Sequence, residues 1–286
     1  MALNAEANNR LELSAGAAPA DNSSLTVEQA IANLQQIEDT GLRYYAAWWL
    51  GRFRVKEPAA ISVLLAALQD ETDRTPDGGY PLRRNAATAL GKLGDGAAVP
   101  GLIDCLSCED YYVRESAAQA LEMLGDGRAV AALSELLVGG IGLAQMVPGK
   151  PHLTQPYEAI IEALGSLEAV AEIPRIEPFL EHFLPKVQYA AARAMYQLTG
   201  EAAYGERLVA ALAGKDLPLR RSALMDLGAI GYLPAAKAIG ETLAENSLKL
   251  IALKGLLERH LEKQLGASII LSPEIIEVME LMDQLL

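Results

Sequence analysis

Tyr44, Trp48 and Arg52 follow one another at intervals of four residues with Trp49 alongside, so both tryptophans of the chain lie in one stretch. At 3.6 residues per turn this spacing puts a phenol, an indole and a guanidinium on one helix face. Such a surface can cover a flat π system or anchor a partner protein, because clustered Trp, Tyr and Arg dominate interface energetics. The competing reading is structural: the patch caps the end of the fold beneath an N-terminal helix, or Trp49 is simply core. Arg43, Arg83 and Arg84 flank this patch and the segment DETDRTPDGGYP at 70–81, which makes them candidates for holding a ligand carboxylate. A plainer role for the arginines is a ladder joining each guanidinium to turn acids such as Asp95 and Asp126. His152, between Lys150 and Tyr157 in a second Gly- and Pro-rich stretch, is the most suggestive of the three histidines, and surface is its ordinary alternative. Cys105 and Cys108 form a lone C-x-x-C, too little for zinc; a small core thiol is the default and a transient covalent carrier the alternative. The chain contains no Gly-rich phosphate loop, His-Glu metal motif or nucleophile triad.

These residues ride on a repeat. With Leu82 as position 0 of LRRNAATALGKLGD, the same frame fits segments starting at Leu42, Val113, Val187 and Leu219, with weaker copies at Pro156 and Leu248. Position 4 is Ala46, Ala86, Ala117, Ile160, Ala191, Ala223 and Ala252, and position 8 is Leu or Met in every copy. Positions 0, 4, 8 and 11 share a quarter of the helix wheel, so each copy is one helix with one buried face, and the alanines admit a close neighbour. The starts lie 29 to 43 residues apart, the period of paired-helix repeats, and a shorter apolar segment precedes most copies, as at Ala98, Ala129, Arg175 and Gly205. The expected fold is all-α: an α-solenoid of about seven HEAT-like two-helix repeats. On the polar face, positions 2, 6 and 10 are mostly hydrophilic, as in Arg84, Thr88 and Lys92; Tyr44, Trp48 and Arg52 are the exception.

Composition agrees. Hydrophobic residues make up 51% of the chain and aromatic residues 5%, so the core is built of Ala and Leu. A net charge of −13 argues against nucleic acid and anionic membrane as partners, and no apolar run is suited to spanning a bilayer. Two thiols without a disulfide framework fit a reducing cytoplasm. The expected organisation is a disordered polar leader at 1–24, the solenoid at 25–265 and a C-terminal amphipathic helix at 266–286. The long intervals mark two insertions, 70–81 and 139–156, both read as loops from their Gly and Pro residues.

The stretches RYYAAWWLGRFRV from Arg43, GGYPLRRNAATALGKLGD from Gly78, YYVRESAAQALEMLGD from Tyr111, PGKPHLTQPYEAI from Pro148 and AARAMYQLTG from Ala191 resemble the E-type subunits of heterodimeric phycobilin lyases. The likeness covers about residues 26–262, and the C-terminal SPEIIEVMELMDQLL is not part of the pattern. It is strongest toward subunits that, with an F-type partner, attach phycocyanobilin to the phycocyanin α subunit. The resemblance implies a linear tetrapyrrole as substrate rather than a resident cofactor, and a thioether between an acceptor cysteine and the ethylidene carbon of ring A. It implies neither nucleic acid nor membrane insertion. A bilin offers a π system, two propionates and pyrrole N–H groups. The expected site lies on the concave helix face near the first four copies. There Tyr44, Trp48, Arg52 and Tyr80 bear on chromophore or partner, Arg43, Arg83 and Arg84 on propionates, and His152 and Tyr157 on the rim. Alternatives are an E-type subunit that also isomerises the bilin to phycoviolobilin, a non-enzymatic phycobiliprotein chaperone, and a HEAT scaffold without bilin.

Overall fold

The structure, a computed structural model, describes residues 25–262 and 271–286. The expected leader at 1–24 and the first residues of the expected C-terminal segment lie outside the described residues. Two compact units divide the chain, Met1–Leu124 and Gly125–Leu286. Among the described residues no helix is long and apolar enough to cross a membrane.

Among the described residues the first unit holds six α-helices: α1 (Val27–Gln35), α2 (Thr40–Arg52), α3 (Pro58–Ala67), α4 (Pro81–Leu93), α5 (Val99–Cys105) and α6 (Tyr111–Leu124). Thr26 starts α1 with a capping box: its hydroxyl accepts from the Gln29 N–H while the Gln29 side chain accepts from the Thr26 N–H. Asp39 caps α2. Pro81 occupies the first turn of α4, where its missing N–H costs nothing, and Gly94 ends the helix at φ +74°. The recurrent Leu-Gly-Asp is therefore a splice. The glycine turns the chain out of one helix, and Asp95 accepts from the Ala97 N–H to start the 3-10 turn that leads into α5.

The second unit repeats the plan: α7 (Val130–Glu135), α8 (Gly140–Leu143), α9 (Tyr157–Ser166), α10 (Ile173–Ile176), α11 (Pro185–Thr199), α12 (Ala202–Ala211), α13 (Leu217–Ile230), α14 (Ala236–Glu241), α15 (Asn246–Glu262) and α16 (Pro273–Leu285). The HEAT-like helix-pair architecture holds in each unit taken by itself. Three long helices of the first unit and four of the second begin within two residues of the expected starts. Positions 4 and 8 are buried in all seven copies. Each leucine there contributes about 2 kcal/mol by burial. Where position 9 is glycine the long helices nearly touch: a Cβ on Gly51 would lie 2.7 Å from the Ala89 Cα, one on Gly91 2.7 Å from the Ala120 Cα, and one on Gly165 2.7 Å from the Ala194 Cα.

Two expectations need correction. The segment from Arg175 is not a regular helix: α10 gives way to a 3-10 stretch at Glu177–Glu181, interrupted by Pro174 and Pro178. The second insertion is more than a loop. It contains α8, then an antiparallel bridge between Met146 and Leu153, flanked by bonds from the Val147 N–H to the His152 carbonyl and from the Thr154 N–H to the Gln145 carbonyl.

Candidate functional site

In the first unit α2, α4 and α6 pack in series, and positions 2, 6 and 10 of each form a polar-side row. Tyr44, Trp48 and Arg52 stand exposed on α2, and Arg84, Thr88 and Lys92 are half-buried on α4. Glu115 is half-buried on α6, while Gln119 and Met123 are exposed. Asn85 ties the first two helices by donating from its amide to the Tyr44 carbonyl at 3.2 Å. The tryptophans separate as their spacing suggests. Trp49 turns inward and its ring lies 4.8 Å from Phe53, whereas Trp48 keeps 44% of its surface in solvent, stacked 5.5 Å from Tyr45. Helix α1 packs on α2 without covering Trp48, so the end-cap reading does not account for it. Tyr44, Tyr45, Trp48 and Phe53 thus form an exposed aromatic surface ending in the cations Arg52 and Lys56. Tyr45 and Phe53 were not singled out from the sequence; adjacency to Tyr44 and to the second tryptophan was the available signal.

The first insertion is bonded into the scaffold. Asp73 accepts from the Leu82 N–H, Thr75 and Gly79 close a tight turn with Gly78 at φ +90°, and Asp110 accepts from the Tyr80 N–H at 2.8 Å. Burial, set against the bond from Leu82, raises the Asp73 carboxyl above its usual range. This geometry redirects three candidates. Arg43, 5% exposed, donates to the Leu34 carbonyl, the Thr72 hydroxyl and Asp70 at 2.5 Å. Arg83 donates to the Asp70 carbonyl at 2.7 Å. Tyr80 is buried, its hydroxyl on Glu109 and the Arg83 guanidinium 4.1 Å from its ring. None of the three presents a free surface to a chromophore.

The arginine ladder exists, but its acceptors differ from those expected. The position-1 side chain donates to carbonyls that end the preceding short helix: Arg83 to Asp70, Arg114 to Cys108, Arg220 to Gly214, Lys249 to Gly240, with Gln188 serving the His182 carbonyl. A cation there answers both the orphan carbonyls and the negative end of the helix dipole. Asp95 and Asp126 instead begin the next turn, and the Asp126 carboxyl is held at about 2 by hydrogen bonds from Arg128.

Cys105 is buried against α3 and burial pushes its thiol up to about 12, with Cys108 nearby adding to the effect. It is a core thiol and no carrier, since the thiolate is the nucleophile. Among the described residues no three His, Cys, Asp or Glu side chains gather to hold a metal ion.

In the second unit Tyr157 is 2% exposed, packed 5.3 Å from Phe179, so it is core and not rim. His152 is half-buried, its Nδ1 2.8 Å from the Leu153 carbonyl. The histidine that shapes this unit is His182, 1% exposed: Nε2 donates to the Ala144 carbonyl at 2.9 Å and Nδ1 accepts from the Leu184 N–H at 3.1 Å. It pins the second insertion to the chain before α11. Phe179 and Phe183 around it were the sequence signal for a core histidine. Also missed was Arg193, held between Glu162 at 3.2 Å and the buried Asp226 at 3.7 Å. The two acids lie on α9 and α13, either side of α11, a pairing visible only once the copies are stacked.

The helical repeats have known counterparts. The family described as HEAT repeats matches residues 73–139, and the one described as PBS lyase HEAT-like repeat matches residues 42–70. The chain is 66% identical over 266 residues to the phycocyanobilin lyase subunit alpha of Synechocystis sp., covering 93% of this chain and 98% of that one. It is 47% identical over 235 residues to the bilin biosynthesis protein PecE of Nostoc sp., covering 82% and 87%. Among solved structures, the complex of CpcE and CpcF of phycocyanin lyase from Nostoc sp. contains a chain with 64% identity and a TM-score of 0.86, covering 94% of this chain and 98% of that one.

Proposed function

The chain belongs to the family of phycocyanobilin lyase alpha subunits, and from that premise we propose how it does its work. It is one half of a bilin lyase: with an F-type partner it attaches phycocyanobilin to a cysteine of the phycocyanin α subunit. The higher identity to the phycocyanobilin lyases than to PecE favours simple attachment over attachment with isomerisation.

The reaction adds a thiol across a double bond. The acceptor sulfur bonds to the ethylidene carbon of ring A, the proton ends on the neighbouring ring carbon, and nothing leaves. The thiolate belongs to the acceptor protein, since Cys105 is protonated and buried. What remains for this chain is orientation, holding one bilin conformer against the acceptor and away from wrong carbons. The observation that carries the assignment is the exposed aromatic row of α2, where Tyr44, Tyr45 and Trp48 offer flat apolar area and Arg52 a charge. Aromatic surface of this kind stacks on conjugated rings at low entropic cost. The bilin is substrate rather than resident cofactor, and the reduced cytoplasm, where free acceptor thiols persist, is the proposed setting.

The test is reconstitution of this chain with the F-type partner, apo-phycocyanin α subunit and phycocyanobilin, read by zinc-enhanced fluorescence on a denaturing gel. Covalent colour requiring both lyase chains is expected. Trp48→Ala should cut the rate about tenfold, the loss of one aromatic contact of about 1.4 kcal/mol, with the melting temperature unchanged. No adduct above the uncatalysed background would leave a HEAT scaffold and remove the lyase reading.

A further inference from the structure

We infer that Arg84 is the anchor for a propionate of the bilin, an assignment that rests on reading the α2 row as the chromophore surface. Four other arginines of the first unit are already engaged. Arg43, Arg83 and Arg114 donate to carbonyls that end preceding helices, and Arg74 pairs with Glu109 at 2.5 Å. Arg84 is different. It is half-buried at position 2 of α4, and its guanidinium makes no hydrogen bond among the described residues. Its Nε is shielded from solvent and lies 3.9 Å from the Asp110 carboxylate, beyond hydrogen-bonding reach. Asp110 is held in place by other bonds: its two oxygens accept from the Tyr80 N–H at 2.8 Å and the Tyr112 N–H at 2.9 Å.

Buried polar groups are almost always satisfied, so this one calls for a partner. The geometry says which kind. The guanidinium carbon sits 4.7 Å from the centre of the Tyr112 ring, and stacking on an aromatic face fixes the plane of the fork in advance. A planar fork held in this way suits a carboxylate, which it can grip through two parallel bonds. Its place is equally particular, because the next residue, Asn85, is the one bonded to the Tyr44 carbonyl. The fork itself stands over Tyr112 at the start of α6, while the same turn of α4 is tied to α2 through Asn85, so a ligand reaching both the fork and the aromatic row must be an extended, flat conjugated anion with a pendant carboxylate. Asp110, 3.9 Å from the Arg84 Nε, is the opposing charge beside it, and its carboxylate is steadied by bonds from two N–H groups.

The experiment titrates phycocyanobilin and its dimethyl ester, in which both propionates are masked, into the complex of this chain with its F-type partner. Wild type should prefer the free acid about tenfold, one charge-assisted bond. Arg84→Gln should lose that preference by weakening the acid alone, leaving the ester where it was. An unchanged preference in Arg84→Gln overturns the assignment, as does equal weakening of both ligands, which would mark a structural role. Should Arg84→Gln not fold, Arg84→Lys decides: it keeps the charge and loses the fork, so part of the preference should go, and full wild-type preference overturns the anchor. Wild type that binds both ligands equally removes the anchor only; wild type that binds neither removes the chromophore surface as well.

Discussion

Arg43, a side chain nominated for chemistry, turns out to be architecture through its bond to Asp70. Burial pushes the Asp70 carboxyl up, but the hydrogen bonds from Arg43 and Thr72 and the Arg43 charge outweigh that and bring it below its ordinary value. A carboxyl whose folded pKa lies below the unfolded value of about 3.9 stabilises the fold above that pH and stops doing so as pH falls through the folded value. Asp70→Asn is therefore expected to be less stable than wild type at pH 7 by about 2 kcal/mol, with the gap narrowing as pH falls below about 4. Urea midpoints at pH 7, 5 and 3 check this; a gap that does not change with pH would mean that the Asp70 charge is not what matters. Cys105 gives a second prediction at this scale. With its thiol pushed up to about 12 and buried, it should resist iodoacetamide at pH 8 in the native protein. The half-buried Cys108 provides the internal comparison, and native labelling of Cys105 at the rate of Cys108 would contradict the assignment. The cation at position 1 and the aromatic run were legible because each is a departure or recurrence within the repeat. What each cation bonds to was not, since carbonyl acceptors leave no trace in side-chain identity.

The long helices set the spacing of everything on the polar-side row, and the small residues between them set the spacing of the helices. A Cβ at Gly91 would lie 2.7 Å from the Ala120 Cα, with the Met123 methyl 2.8 Å away on the same neighbouring helix. The methionine tip can move but the backbone cannot, so α4 and α6 must separate. Gly91→Val should cost about 3 kcal/mol through overpacking, well above the about 1 kcal/mol expected for Gly94→Ala, where the strain is only that of a left-handed cap. Chemical denaturation of the two variants tests the order, and a reversed order would show that the close approach of α4 and α6 is tolerated. Helix starts could be read from the repeat period, as at Leu82, although Pro81, read as the end of the first insertion, already belongs to α4. The short helices were less legible, because Pro174 and Pro178 break a segment whose apolar pattern alone reads as continuous. In the second insertion Gly and Pro promised only loops, while its order comes from His182, almost 40 residues from the carbonyl it holds.

Stability in stacked repeats is close to a sum over neighbouring pairs, so damage should stay near where it is done. Helix α16 offers a direct trial. Ile275 and Val278 are buried against α14 and α15, and the Asn246 amide donates to the Leu285 carbonyl at 3.0 Å. Exposed Ile276 and Met279 show that this helix is only partly covered itself. Ending the chain after Glu262 would uncover the side of Gly240 that faces Leu281, along with apolar surface of α15. Native-state hydrogen exchange in that truncated chain should quicken in α14 and α15 and remain unchanged in α2, α4 and α6, because local opening is governed by the contacts of each neighbouring pair. Attachment of bilin, if it depends on the α2 and α4 row, should then survive at the temperature where those helices are still protected. Loss of protection spread evenly over all the helices would mean that the chain opens as one cooperative body, and the chromophore row could no longer be treated as independent of α16.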